Sequence, residues 1–148
     1  FDHLSGISEV ISQHPVPVYL NPKDLPLYRS RGGAALFGFK IPPLPEPIPI
    51  LSEGYPLQVG KCNCKVLEIP GHTAGHVVFY FEALKAVICG DVIFYHSIGR
   101  TDLPGGDYDT LLKNLRVKLL SLPPNTRLLP GHGPETTIGE ELEGNPFL

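Results

Sequence analysis

The run Pro70-Gly71-His72-Thr73-Ala74-Gly75-His76 restricts the fold more than any other part of the chain; it is followed by the apolar stretch Val77 to Phe81 and by Ile88-Cys89-Gly90-Asp91. Two histidines four apart often mark one helix face, but the flanking glycines and the β-branched residues after His76 oppose a helix here. His72 is therefore expected on a tight loop between two strands. Asp91 ends the next strand, so both side chains can project from the same sheet edge. A neutral imidazole and a carboxylate converging there suit zinc or a similar divalent ion. The competing reading is that His72 and His76 are loop histidines satisfied by backbone groups, and for two isolated histidines it is the commoner outcome. Ligand-type residues in similar settings elsewhere shift that balance.

With 148 residues, 42% hydrophobic and 18% charged, the chain fits a single domain over 1–148 that buries roughly 70% of its unfolded surface. A formal net charge of −3 gives no electrostatic reason to expect nucleic acid or an anionic membrane surface as partner. No apolar run approaches the ~20 residues of a membrane span. Cys62, Cys64 and Cys89 are an odd set without the spacing of a disulfide framework or a zinc ribbon. They point to a reducing compartment, taken as the cytoplasm. Cys62 and Cys64 face the same side of an extended strand and are read as structural. The chain opens Phe1-Asp2-His3 without methionine, so it is expected to be the later part of a longer protein, with any targeting segment out of view.

Leu4, Ile7, Val10 and Ile11 recur with helical spacing, which predicts a short helix after His3 that ends before Pro15. Asp2 and His3 then lie in the loop at its start, either as ligands or as a helix cap and an incidental neighbour. His14, beside Pro15, is read as a surface residue. Pro15 to Leu20 is expected as a short strand interrupted by prolines, and Asn21-Pro22 as a cap opening another helix. From Gly32 to Pro56, with Pro42, Pro43, Pro45, Pro47 and Pro49 crowded together, no central strand is possible; an ordered loop over one rim of the site is expected. Leu57 to Ile69 predicts two strands turning at Gly60 and Lys61. His76 to Glu82 and Lys85 to Gly90 predict a hairpin through Ala83 and Leu84, packed sheet against sheet.

The stretch from Val92 to Asp107 reads as a long connection, braced by an Arg100–Asp102 pair. His96 within it has three open readings: facing substrate, supporting the metal surroundings, or simply exposed. A helix from about Tyr108 to Leu120 carries Leu111, Leu112, Leu115 and Leu119 as a core stripe. Thr126 to Leu129 is a short strand that ends in Pro130-Gly131-His132-Gly133-Pro134. Asp2, His3, His72, Asp91 and His132 are thus five ligand-type residues, each at a strand edge or helix start.

On Asp2-His3-Leu4-Ser5-Gly6, Pro70 to His76, Gly90-Asp91, Ser97 to Asp107 and Leu129 to Gly133, the chain resembles the metallo-β-lactamase-fold hydrolases. The likeness is strongest to their short glyoxalase II-like (hydroxyacylglutathione hydrolase-like) branch, and it covers essentially the whole chain. The resemblance implies an α/β fold, the αββα sandwich, of which this chain is expected to form the C-terminal two-thirds. It implies two divalent metal ions, zinc by expectation, with iron or manganese as alternatives. The family's first motif is His-x-His-x-Asp-His with Phe1 at the last x, so histidines are expected one and three positions before Phe1. Asp2, His3 and His132 carry over to the second metal, His72 to the first, and Asp91 to the carboxylate that bridges both. His76 matches a supporting position, and His96, Arg100 and Asp102 fall in the supporting or substrate loop.

The implied chemistry is hydrolysis of a small-molecule thioester by a metal-activated hydroxide, with Asp2 orienting it as the catalytic residue. The leaving thiolate needs little acid assistance, because thiols ionise near ~8.5. Two rival readings accompany it. One is a persulfide dioxygenase-like enzyme with a single iron held by two histidines and an aspartate. The other is a non-catalytic fragment with an incomplete metal site.

Overall fold

From Pro56 onward the short apolar blocks of the sequence become the strands of one mixed sheet. In the computed structural model, which describes residues 1–148, these are β1 (Pro56–Val59), β2 (Cys62–Glu68), β3 (Val77–Phe81) and β4 (Ala86–Gly90). Beyond a connection that itself contains β5 (Ile93–Phe94) and β6 (Ser97–Ile98) come β7 (Arg127–Pro130) and β8 (Thr136–Thr137). The sheet order is β1-β2-β3-β4-β7-β8, with β5 and β6 paired separately. β1 to β4 meander antiparallel, whereas β4 and β7 run parallel. A parallel pair requires a crossover, and the crossover here carries helix α3 (Tyr108–Asn114).

Alternation decides which face is buried. Tyr80 and Val87 are register partners, as are Val87 and Leu128, so they share one face with Val78 and Cys89 two residues along. That face joins Leu111, Leu115, Leu119 and Ile138 in the core. On the other face, Ile88 stays 47% exposed. The buried face of the apolar β3–β4 hairpin thus shares its core with helix residues and with Ile93 of the separate β5–β6 sheet. The hairpin's turn is longer than a two-residue loop: a 3-10 turn over Glu82–Leu84 followed by Lys85 at φ 47°.

The predicted helix from Tyr108 to Leu120 divides into α3 and a π-helical turn, Leu115–Leu119, in which the Leu120 N–H donates to the Leu115 carbonyl at 2.8 Å. Leucines four apart overrun an α-turn by roughly 40° per step. The wider turn counters that drift, and Leu111, Leu115 and Leu119 all remain fully buried. Helix α4 (Ile138–Gly144) follows β8 directly, with the Thr137 side chain accepting from the Glu140 N–H.

The chain divides into two compact units, Phe1–Leu51 and Ser52–Leu148, and the sheet belongs wholly to the second. The first unit holds α1 (Ile7–Gln13), a 3-10 turn over Pro22–Asp24 capped by the Asn21 side chain, and α2 (Leu25–Arg29). The strand expected from Pro15 to Leu20 is reduced to a single bridge between Tyr19 and Ile48. Pro15 and Pro17 on one side, and Pro47 and Pro49 on the other, lack the N–H groups a longer ladder would need. The proline-rich segment is an ordered loop, as expected, and side chains of its own unit hold it through its carbonyls. Ser8 Oγ donates to Pro43 O at 2.6 Å, Tyr28 Oη to Pro45 O at 2.8 Å, and Arg31 Nη1 to Ile41 O at 3.1 Å.

Candidate metal centre

β4 and β7 lie side by side and point the same way, so the loops at their carboxyl ends emerge together, where open α/β sheets commonly bind ligands. Asp91 follows β4 and His132 follows β7. The Gly131 N–H donates to the Gly90 carbonyl at 2.8 Å and ties the two loops. His132 Nε2 stands 3.6 Å from Asp91 Oδ2.

His72 arrives from the loop between β2 and β3. The Ile69 N–H donates to the His76 carbonyl at 2.9 Å and closes this loop, and the Asp107 N–H donates to the Gly71 carbonyl at 2.7 Å and braces it. His72 Nδ1 lies 2.8 Å from the Arg100 carbonyl. A carbonyl can only accept, so the proton of the neutral ring sits on Nδ1, and Nε2 presents its lone pair. That Nε2 is 3.9 Å from Asp91 Oδ2, with both side chains largely buried, at 17% and 15% exposure.

One carboxylate oxygen thus lies between two imidazole nitrogens at distances too long for hydrogen bonds. Two donors each ~2.1 Å from one tetrahedral ion stand roughly 3.4 Å apart, so both gaps have about the span that a shared cation would occupy. The donor types, imidazole and carboxylate, and the fixed tautomer of His72 are those a divalent ion requires.

His76 has a different task. Its Nε2 lies 3.0 Å from the Cys89 carbonyl, so the proton on that nitrogen is committed to the main chain of β4. The ring stands edge-on to His72 at 5.8 Å. Gly90, at φ 54°, is required here twice: L side chains rarely adopt that conformation, and a Cβ would come within 2.8 Å of His76 Nε2. Gly99 is a further requirement that inspection of the sequence missed. A Cβ at this position would run into the Asp91 carbonyl and lie 3.4 Å from His72 Nδ1. A glycine directly before the Arg100–Asp102 pair was the only signal for it.

Arg100 and Asp102 form a two-pronged pair, 2.7 Å and 2.8 Å. The guanidinium hydrogen bonds bring the Asp102 carboxyl down to about 2. The side chains stay in solvent, and it is the Arg100 carbonyl, not its guanidinium, that meets the His72 ring. His96 lies at the tip of the β5–β6 hairpin with φ 53°. Its ring is 3.9 Å from Tyr95, its Nδ1 is buried without a hydrogen-bond partner, and its N–H donates to Glu141 at 3.0 Å. Asp2 and His3 belong to the first unit. There they occupy the turn before α1, with His3 Nε2 3.8 Å from Asp2 Oδ2 and both side chains about half exposed.

Residues 1–132 match the metallo-beta-lactamase superfamily, and the chain belongs to that superfamily. It is 40% identical over its whole length to a probable metallo-hydrolase, YqgX, of Bacillus subtilis, spanning 71% of that protein. It is 38% identical to the hydroxyacylglutathione hydrolase GloC of Haemophilus influenzae, across 99% of this chain and 71% of that one. The crystal structure of TTHA1623 in a di-iron-bound form superposes with a TM-score of 0.86 at 45% identity, covering 100% of this chain and 73% of the other. The α/β fold is thus that of the metallo-β-lactamases. The fold implies binding of divalent metal and the chemistry of a metal-dependent hydrolase. No helix is long and apolar enough to cross a membrane.

Proposed function

We propose that this chain is a metal-dependent thioester hydrolase of glyoxalase II type. The observation that carries the reading is Asp91 Oδ2 standing between His72 Nε2 and His132 Nε2, as a carboxylate shared by two ions would. The family motif gives His72 to the first ion, Asp2, His3 and His132 to the second, and Asp91 to both. Divalent metal, when bound, supplies Lewis acidity and a nucleophile from water near neutral pH.

The chain's own residues supply the rest. The Arg100 carbonyl keeps the His72 lone pair turned inward, the Cys89 carbonyl does the same for the orientation of His76, and Asp2 holds and directs the attacking water. The loop from Tyr95 to Asp107 leads away from Asp91 and is the proposed reader of the substrate, with His96 setting the Michaelis constant more than turnover. The similarity to GloC supports a thioester as substrate class, and the similarity to a di-iron protein keeps iron beside zinc as the working metal. Three free cysteines support a reducing, cytoplasmic setting.

The test is hydrolysis of a panel of small thioesters, lactoyl-glutathione among them, by chain loaded with zinc, iron or manganese in turn. Metal-dependent thiol release that disappears in Asp91→Ala is the expected result. Oxygen consumption with a persulfide substrate, without thioester turnover, would move the chain to the iron dioxygenase reading.

A further inference from the structure

Helix α4 buries a carboxylate that none of the chemistry above uses. Glu141 is fully buried, with 0% exposure. Its Oε1 accepts from Thr136 Oγ1 at 2.7 Å, and its Oε2 accepts from the His96 N–H at 3.0 Å and from Asn145 Nδ2 at 2.7 Å. Asn145 Nδ2 also donates to the Ser97 carbonyl at 3.0 Å. All three donors to Glu141 are neutral. A buried carboxylate is costly to desolvate, and an apolar residue of similar size usually serves a core better. The position therefore calls for an acceptor that apolar packing cannot replace.

What this acceptor holds is the tip of the β5–β6 hairpin. His96 sits there in the left-handed region, an unusual place for a residue other than glycine. The hairpin is a short closed ribbon: Ile93 pairs with Ile98, Phe94 with Ser97, and the Gly99 N–H donates to the Val92 carbonyl at 3.2 Å. One end of the ribbon continues from Asp91. The other runs through Gly99 into Arg100, whose carbonyl fixes the tautomer of His72. A ribbon joined to a ligand at one end and to the orienting group of another ligand at the other transmits any movement of its tip to both.

We infer that Glu141 is a positioning residue of the metal centre: with Asn145 it clamps the hairpin tip, and through the ribbon it holds Asp91 and the Arg100 carbonyl in the places that metal binding requires. The inference rests on the reading of His72 and Asp91 as ligands. Glu141→Gln keeps an acceptor for the His96 N–H, and Thr136 can turn its hydroxyl to accept from the new amide. Glu141→Leu keeps the bulk and removes every acceptor.

The experiment compares these variants with the parent in two readouts: zinc affinity of the full chain by chelator competition, and the His72 ring nitrogen spectrum of the metal-free chain. Glu141→Leu should weaken zinc about 10-fold, as losses in the groups that orient ligands do, and should turn the His72 ring into a mixture of tautomers. Glu141→Gln should stay near the parent in both. A leucine variant that melts lower but binds zinc like the parent, with His72 unchanged, overturns the inference, since that is what a merely structural role gives. If the leucine variant does not fold, Asn145→Ala removes one of the ties to the ribbon and should move both readouts the same way; no movement overturns the inference equally. Should the parent bind no zinc through Asp91, the metal reading fails, and the His72 spectrum of the metal-free variants still decides whether Glu141 positions that ring.

Discussion

His72 and His76 stand four apart in one glycine-bordered run, yet the partner of one ring nitrogen separates their roles. His72 commits Nδ1 to the Arg100 carbonyl and turns Nε2 towards Asp91, whereas His76 commits Nε2 to the Cys89 carbonyl. His72→Ala should therefore lose the first metal equivalent while the second stays bound. His76→Ala should keep the parent's metal stoichiometry while affinity or activity falls ~10 to 100-fold, and elemental analysis beside a chelator titration reads both. Asp102 gives a pH-dependent counterpart. Its folded carboxyl titrates at about 2 because of Arg100, below the ~3.9 of an unfolded aspartate. The stability it contributes is thus fully present above that unfolded value and is lost as pH falls through the folded one. The pair is solvent-exposed, so the contribution is small. Asp102→Asn should match the parent below about pH 2 and be slightly less stable above about pH 4, as measured by urea unfolding across the acid range.

Elements differed in how plainly the sequence announced them. β1 to β4 were legible because alternation, short apolar runs and the Gly60-Lys61 turn agree with one another, and the leucine stripe of α3 was legible for the same reason. The strand expected from Pro15 to Leu20 was overcalled: it forms only the Tyr19–Ile48 bridge, because prolines on both partners remove ladder donors. The β5–β6 hairpin escaped because its tip, Tyr95-His96, has neither glycine nor asparagine to signal a turn, and Glu141 on another element helps to hold it. Helix α4 had a signal that went unread: Thr137 with Glu140 three residues on is the spacing of a capping box. The burial of Glu141 had none, since its partners come from residues far apart in the chain. In the candidate site, the ligand-type residues could be named from their settings, but Gly99 and the two orienting carbonyls are main-chain features that no residue type discloses. The helix offers its own test. Leu115 is fully buried where α3 passes into the wider turn, so Leu115→Ala should cost about 2–5 kcal/mol. Denaturant unfolding checks this, and a loss below about 1 kcal/mol would mean the site is less tightly packed than described.

At the scale of the whole molecule, superfamily membership extends over residues 1–132, and His72, Asp91 and His132, whose side chains approach one another, all belong to Ser52–Leu148. Sheet, crossover helix and C-terminal helix all serve one arrangement there. Two parallel strands deliver Asp91 and His132, a braced loop delivers His72, and a clamped ribbon keeps the spacing. Everything proposed about thioester hydrolysis depends on Asp91 being the carboxylate shared between metal ions. Metal content after exhaustive dialysis, measured on the parent chain and on Asp91→Ala, tests that directly. The account predicts that the parent retains divalent metal and that Asp91→Ala loses all of it. Loss of only part, with the remainder bound as tightly as before, would show that Asp91 does not bridge, and an unchanged metal content would contradict the account at its centre.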